Sequence, residues 1–193
     1  TWQTAGGKTL EMPLDAPDNP ALVCDYRTEK RNVYLKDIRY DADDRPLILY
    51  LTSKGYRSGP KNDPRTWQLA RWTGDAWKIH TVTTSDNNYD MGSLWLAADG
   101  ALHIIAPTAT GPQPYNPGGE IEHHTSTDGG RTWRTVRQLT AGSARNHTYV
   151  RRPVSARPGF FALWADGHGR KPSASDLYCC DLAGTVYRLP RRM

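Results

Sequence analysis

The stretch Ser126-Thr127-Asp128-Gly129-Gly130-Arg131-Thr132-Trp133 lies between two short runs of strand-forming residues. An Asp followed by two glycines is typical of a tight turn, because the carboxylate accepts backbone N–H groups and glycine adopts positive φ. Comparable turns that also close on an aromatic residue occur at Trp72–Trp77 and Asp181–Tyr187. The three closing aromatics are 56 and 54 residues apart. This near-constant step indicates a structural repeat.

A second set of turns alternates with the first, at Tyr40–Pro46, Ala97–Gly100 and Ser155–Gly159, and a short hydrophobic strand follows each of them. Two hairpins per period give four antiparallel strands, which is the content of one propeller blade. We therefore predict an all-β partial β-propeller with about three blades and the stub of a preceding one. The predicted segments are 1–30 (end of a preceding blade and its connection), 31–84 (blade), 85–140 (blade) and 141–193 (blade).

The segment from Ser126 to Trp133 resembles the Asp-box, the Ser-x-Asp-x-Gly-x-Thr-Trp motif of BNR-repeat (sialidase-like) propellers, and it contains every signature position. The resemblance implies a structural turn whose Trp packs between sheets, with no catalytic role. Thr1-Trp2 matches the last two positions of the same motif. Because propellers close with roughly four to eight blades, we expect a fragment of a carbohydrate-active member, completed by blades from the same or another chain.

Composition narrows the class of partner. The 193 residues are 37% hydrophobic and 23% charged, which is typical of a globular chain. The formal charge of +5 favours an anionic partner, although such a surplus can equally serve solubility alone. No Lys/Arg cluster is dense enough to indicate nucleic acid, and no apolar run approaches 18 residues, so we predict no membrane span. A carbohydrate-active propeller is expected to be secreted or periplasmic, although no signal segment is visible.

No cofactor is predicted. The three cysteines do not form a disulfide framework, and no group of residues has the spacing of a metal site. The possibility of a structural calcium or zinc ion stays open.

Candidate binding residues follow from blade topology. The loops between the second and third strands and the connections between blades share one face of a propeller, and binding residues usually lie on loops held by a rigid scaffold. Polar loops are also common on any exposed surface, so this interpretation has a plain alternative. The predicted substrate-binding residues are Asn88, Tyr89, Gln113, Tyr115, Asn146, Arg152, His168 and Arg170.

The segment Asn146–Arg152 enters the first strand of the last predicted blade. Strand alternation predicts that His147, Tyr149 and Arg151 project to one side. A His, a Tyr and an Arg together can supply a base, an acid and a group that binds a carboxylate, so we predict these three as catalytic residues. The alternative is a structural tyrosine beside solvated arginines.

These residue types favour an enzyme segment that acts on an acidic, uronate-containing polysaccharide by lyase-type β-elimination. In this scheme Arg151 or Arg152 neutralises the carboxylate, His147 removes a proton, and Tyr149 or Tyr89 protonates the leaving oxygen. A sialidase-like glycoside hydrolase is one alternative, although hydrolysis usually needs a pair of carboxylates and none is evident. A non-catalytic glycan-binding propeller is the other, because a fold alone does not decide chemistry.

Overall fold

The computed structural model describes residues 1–191, which form three four-stranded antiparallel sheets. Sheet 1 contains β1 (Asn32–Tyr40), β2 (Pro46–Ser53), β3 (Arg65–Trp72) and β4 (Trp77–Ser85). Sheet 2 contains β5 (Ser93–Leu96), β6 (Leu102–Ala109), β7 (Glu120–Ser126) and β8 (Arg134–Gln138). Sheet 3 contains β9 (Asn146–Arg151), β10 (Ala162–Gly167), β11 (Leu177–Cys180) and β12 (Val186–Arg188). In each sheet the strands pair in chain order.

The prediction of an all-β chain with four strands per repeat is confirmed. All six predicted turns connect adjacent antiparallel strands. In residues 1–191 the one helical element is a 3-10 turn at Pro60–Asn62, and no helix there is long and apolar enough to cross a membrane. Over the same range the sheets do not close into a ring, and residues 1–31 contribute one isolated bridge, between Gln3 and Thr9. The propeller arrangement and the stub of a preceding blade therefore stay predictions.

Sheet 2 is packed between the other two sheets. Consecutive strand residues point to opposite faces, so Leu94 and Ile104 join a core with sheet 1. Their neighbours Trp95 and Ile105 join a second core with sheet 3. The near-continuous burial of β6, which sequence alternation alone would not give, follows from its having a sheet on each side.

The first strands of the three sheets, β1, β5 and β9, lie side by side, and we call them the inner strands. Asp37 Oδ2 on β1 accepts a hydrogen bond from the backbone N of Leu94 on β5 at 2.9 Å. Ser93 Oγ, also on β5, donates to the carbonyl of Val150 on β9 at 3.2 Å. Each inner strand is at the edge of its own sheet. Each inner strand runs from a connection between sheets to a short hairpin. The connections and the long loops are therefore at one end of this row of strands, and the short hairpins are at the other.

The turn at Ser126–Trp133 is held by the bonds that its motif predicts. Asp128 accepts from the backbone N of Thr132 at 2.9 Å, from the Thr132 hydroxyl at 2.7 Å and from Ser126 Oγ at 2.8 Å. Gly129 and Gly130 both have positive φ, 74° and 91°. Trp133 packs against the core between sheets 1 and 2, as predicted. These hydrogen bonds hold the turn in shape, and its side chains have the structural role that the resemblance implies.

Replacing Asp128 by Ala should lower the urea midpoint at pH 7, because three hydrogen-bond donors of the turn lose their acceptor. These bonds hold the pKa of Asp128 far below its ordinary value of 3.8, with the Thr132 hydroxyl as the largest cause. A lowered folded-state pKa adds stability that is present above the ordinary pKa and is lost as pH falls through the folded-state value. The difference between wild type and variant should therefore shrink below about pH 4, and a difference independent of pH would contradict this role of Asp128.

Candidate functional site

The long loops and the connections between sheets meet at one end of the inner strands. Asn87 Nδ2, in the connection from sheet 1 to sheet 2, donates to the carbonyl of Tyr115 in the β6–β7 loop at 2.7 Å. Arg170, in the β10–β11 loop, donates to the same carbonyl at 3.0 Å. Asn88 Nδ2 donates to the carbonyl of Gly55 in the β2–β3 loop at 2.9 Å. The predicted convergence of these loops is thus observed between all three sheets.

An open cleft of about 490 Å³ lies among these loops, and we call it the loop cleft. Its walls bring together two exposed tyrosines, a histidine and a lysine. The lining residues are Tyr89, Pro117, Thr148, Tyr149, Gly167, His168, Gly169, Lys171 and Ser173. No Asp or Glu is among them, so within the described part of the chain the cleft presents cationic and hydroxyl groups without a carboxylate.

Tyr149 projects into the cleft because β9 carries a bulge. Thr148 pairs with Ala165 and Arg151 pairs with Leu163, so two residues of β9 are opposite one residue of β10. Tyr149 takes the left-handed backbone conformation at φ 58°, which is uncommon for a bulky residue and clusters at functional sites. Its side chain is 59% exposed. The bulge therefore aims a tyrosine, at some conformational cost, at solvent in the cleft.

Arg151 is next to this tyrosine. Its guanidinium carbon is 5.9 Å from the centroid of the Tyr149 ring, within the range of a cation–π contact. Nη1 donates to the carbonyls of Val150 at 3.1 Å and Gly92 at 3.4 Å. The other guanidinium nitrogens donate to no group among residues 1–191, and Arg151 forms no salt bridge there. They are available to an anion bound beside Tyr149.

Lys36 on β1 is a buried cation that sequence analysis missed. Its Nζ donates to the carbonyl of Asn88 at 2.6 Å and lies 5.8 Å from the centroid of Tyr34, whose ring packs edge-on against Tyr89. Burial lowers the pKa of Lys36 to about 8, with Asp90 opposing the shift and Arg151 adding to it. A single lysine in a strand carries no sequence signal, so its place behind the cleft wall could be found only from the fold.

Asp90 is a buried carboxylate behind the same wall. Its oxygens accept from the backbone N of Asn87 at 3.0 Å and of Gly118 at 2.7 Å, so it joins the sheet connection to the β6–β7 loop. Desolvation by burial raises its pKa to about 7, against the lowering effect of its hydrogen bonds. The carboxylate thus braces the loop that carries Pro117 into the cleft.

A raised pKa at Asp90 makes stability depend on pH. The folded state binds the proton more tightly than the unfolded chain, so the contribution to stability is full below about pH 4 and is lost as pH rises through about 7. Urea unfolding of wild type should therefore show a midpoint that falls between pH 5 and pH 7.5. In Asp90→Asn this decrease of the urea midpoint with pH should vanish. An equal slope in both proteins would exclude Asp90 as its source.

His147 does not line the loop cleft. It is 4% exposed, and its Nδ1 accepts from Nε1 of Trp164 at 3.0 Å, while its Nε2 is 2.9 Å from Ser143 Oγ. Because the indole can only donate, Nε2 carries the proton and donates to Ser143, whose hydroxyl donates to Glu120 at 2.8 Å. Burial lowers the pKa of His147, which favours the neutral ring. The prediction that His147 and Tyr149 project to the same side of β9 is wrong, because the bulge between them interrupts the alternation of side chains.

Four other predicted binding residues brace the loops. Asn146 is 1% exposed, and it accepts from the backbone N of Gln113 at 3.0 Å and donates to the carbonyls of Gln113 and Gly118, both at 3.0 Å. Tyr115, at φ 60°, lies under the guanidinium of Arg65 at 5.7 Å, and its carbonyl holds Arg170. These side chains fix the shape of the cleft from behind.

Of the eleven predicted site residues, the structure thus brings Tyr89, Tyr149 and His168 together in the loop cleft, with Arg151 beside Tyr149. Asn88 is buried behind Tyr89, where its amide donates to the hydroxyl of Tyr34 at 3.2 Å. Arg152 lies elsewhere, against Trp95 and Phe161. Sequence analysis did not single out Pro117, Thr148, Gly169 and Ser173 in the cleft lining, because loop residues of these types carry no chemical signal.

Comparisons with known proteins agree with this architecture. A solved structure described as a new family of polysaccharide lyase, PL25 ulvan lyase, matches with a TM-score of 0.66 at 16% identity, over 93% of this chain and 39% of the lyase chain. The chain shares its fold with a polysaccharide lyase. The same lyase bound to -[GlcA(1-4)Rha3S]- matches equally well, with a TM-score of 0.66 and 16% identity over 93% and 39% of the two chains.

A protein of unknown function from Dyadobacter fermentans DSM 18053 also matches, with a TM-score of 0.52 and 16% identity over 81% of this chain and 41% of the other. No protein-family profile matches the chain, and no curated protein matches it. At these identities the likeness concerns the fold, and the chain spans about 39% of the length of the lyase.

Proposed function

We propose that the chain is the site-bearing part of a polysaccharide lyase that cleaves an acidic, uronate-containing glycan in the loop cleft. The observation that carries the proposal is the makeup of the cleft, in which a bulge presents Tyr149 beside the guanidinium of Arg151. Among residues 1–191 no carboxylate lines the cleft walls. The shared fold with a lyase that binds a glucuronate-containing oligosaccharide supports it.

The absence of a carboxylate in the lining favours elimination over hydrolysis. Glycoside hydrolases typically place two carboxyl groups on either side of the scissile bond, and among residues 1–191 the loop cleft offers none. A lyase needs instead a cation that neutralises the uronate carboxylate and a group that transfers a proton. Arg151, with Lys171 on the opposite loop, supplies the first need, and Tyr149 supplies the second.

The reaction that fits is β-elimination with Tyr149 as the proton carrier. Its phenolate takes the proton from the carbon that bears the carboxylate. The electrons of that C–H bond form a carbon–carbon double bond as the bond to the leaving glycosidic oxygen breaks. Tyr149 then returns the proton to that oxygen, so atoms and charge balance without a cofactor. Arg151 stabilises the charge that develops on the carboxylate, and Tyr89 offers an exposed ring face to the sugar.

We also propose that the three sheets are blades of a β-propeller of the BNR type. The side-by-side inner strands, the meander order of each sheet and the hydrogen-bonded Asp-box turn support this arrangement. In such a ring the loop cleft would open at the mouth of the axis, and further blades, from the same or another chain, would complete its walls. Secretion or periplasmic export would bring such an enzyme to its glycan.

The proposal is tested by incubating the full-length protein with uronate-containing polysaccharides and following the ultraviolet absorbance of the unsaturated product. A rise in absorbance with new reducing ends supports the lyase. New reducing ends without the absorbance would indicate the sialidase-like hydrolase. Glycan binding with neither signal would indicate the second candidate, a non-catalytic binding module. The exposed hydroxyls and cations of the cleft could bind a glycan in that case as well.

A further inference from the structure

A second cleft lies at the opposite end of the inner strands, on the side of the short hairpins. It has a volume of about 220 Å³ and is lined by Arg39, Tyr40, Trp95, Leu96, Arg152 and Val154. We call it the hairpin cleft. It shares no lining residue with the loop cleft, and the proposed reaction uses none of its side chains.

The guanidinium of Arg152 is stacked against two aromatic rings in this cleft. Its guanidinium carbon is 5.3 Å from the centroid of Trp95 and 5.0 Å from that of Phe161. Its backbone N donates to Ser93 Oγ at 3.0 Å, but within residues 1–191 its side chain forms no hydrogen bond and no salt bridge. A guanidinium stacked on aromatic faces keeps its N–H groups in the plane of the fork, where they can bind an oxyanion in bidentate fashion.

Arg39 adds a second guanidinium. Its Nε donates to the carbonyl of Leu94 at 2.8 Å, its Nη1 donates to the carbonyl of Ile38 at 3.4 Å, and its Nη2 pairs with Asp37 at 3.1 Å. Asp37 also accepts from the backbone N of Leu94 and of Ile38, both at 2.9 Å, so its oxygens are already engaged. Burial, and then the charge of Arg39, lower the pKa of Arg152. Two cations thus line one cleft, and one of them, Arg39, is paired with the carboxylate of Asp37.

The rim of the hairpin cleft is apolar and accessible. Tyr40 is 63% exposed and Val154 is 94% exposed. A free inorganic anion gains no favourable contact from an apolar rim. A sugar ring, in contrast, packs against tyrosine and aliphatic groups while its charged substituent reaches the arginines. We propose that the hairpin cleft is a second binding site, for a sugar that carries a carboxylate or sulfate group, with Arg39 and Arg152 on the oxyanion and Tyr40 under the ring.

The test uses a signal from Trp95, which lines the hairpin cleft and not the loop cleft. In ¹⁵N-labelled full-length protein, the indole N–H resonance of Trp95 is assigned with Trp95→Phe and followed during titration with glucuronate, with glucose and with inorganic sulfate. Glucuronate should shift the resonance in a saturable way, and sulfate should require a higher concentration. Glucose should leave it unchanged. A sulfate response as tight as that of glucuronate would contradict the role of the sugar ring.

Matched variants decide whether the two arginines bind the ligand. Arg39→Gln and Arg152→Gln should each raise the half-saturating glucuronate concentration at least about tenfold, since each removes one charge-assisted contact. The control Arg134→Gln, on β8, should leave it unchanged, and so should Tyr149→Phe in the loop cleft. Arg152→Lys, which keeps the charge and loses the planar fork, should bind between wild type and Arg152→Gln.

The proposal fails if the Trp95 resonance does not respond to glucuronate in wild type. It also fails if the response survives unchanged in Arg39→Gln, which does not disturb the Arg152 stack and so tests binding even if Arg152→Gln fails to fold. In the first case Arg152 would be a packing residue only, and in the second Arg39 would not contact the ligand. Product formation in the loop cleft is measured separately, so either outcome leaves the test of lyase activity intact.

Discussion

Tyr149→Phe should lower the turnover of a uronate-containing polysaccharide at least about 100-fold, because general acid–base transfer contributes roughly that much or more. The variant removes only the hydroxyl that carries the proton and keeps the ring against which Arg151 packs. Since Tyr149 is 59% exposed, the loss of its hydroxyl should not change folding. We expect kcat to fall while KM stays near its wild-type value, because the lost interaction belongs to the transition state.

The control is Tyr187→Phe, which removes the hydroxyl of another half-exposed tyrosine, on β12 and outside the loop cleft. That hydroxyl donates to Asp181 at 3.4 Å, so the unfolding midpoint shows any effect of its loss on the fold. The control should turn over substrate at the wild-type rate. Both variants are assayed by the absorbance of the unsaturated product, with the unfolding midpoint measured in parallel. Full activity in Tyr149→Phe would remove the tyrosine from the mechanism and leave the bulge without its proposed role.

The second large effect concerns stability. Asn146→Ala should lower the free energy of unfolding by about 1 to 3 kcal/mol, because it removes the hydrogen-bond partner of the buried Gly118 carbonyl and of the part-buried backbone N–H of Gln113 in the β6–β7 loop. The loop carries Pro117 into the cleft, so loosening it should also raise KM. Urea denaturation at pH 7 and initial-rate measurements check the two expectations.

Asn116→Ala is the control, because it removes an asparagine from the same loop. Asn116 is also buried, at 8% exposure, but its Oδ1 has no hydrogen-bond partner within residues 1–191. We expect a cost below about 1 kcal/mol for this change. Equal losses in the two variants would show that packing in the loop, and not the hydrogen bonds of Asn146, holds the cleft in shape.

The fold could be predicted because its signals are local and repeated. The turn at Ser126–Trp133 combines a side-chain acceptor with two positive-φ glycines, and these features are visible in the sequence wherever the motif occurs. The step between equivalent turns then gives the number of strands per sheet. What these local signals do not give is how the three sheets pack on one another, because that depends on contacts between residues far apart in the chain.

The site was predicted in outline only. Tyr89, Tyr149 and His168 lie together among the long loops, and topology predicts this because it sorts the loops by face; their role as site residues stays a prediction. His147 was predicted as a base, whereas its ring is buried between Trp164 and Ser143, because alternation was assumed across a bulge. Sequence analysis did not find Lys36. Its hydrogen bond to the carbonyl of Asn88 joins residues more than 50 positions apart and depends on how two sheets pack.

The bulge in β9 also bears on how relatives of this chain can be recognised. Up to Thr148 the side chains of β9 alternate regularly between the two faces of the sheet. From Tyr149 onward, odd-numbered residues point to the face that even-numbered residues occupied before the bulge. An alignment that pairs this strand residue by residue with an unbulged counterpart would set core positions against cleft positions in its second half. Sequence searches with this chain should therefore allow a one-residue gap at Tyr149, since an unbulged strand would have one residue fewer at this point.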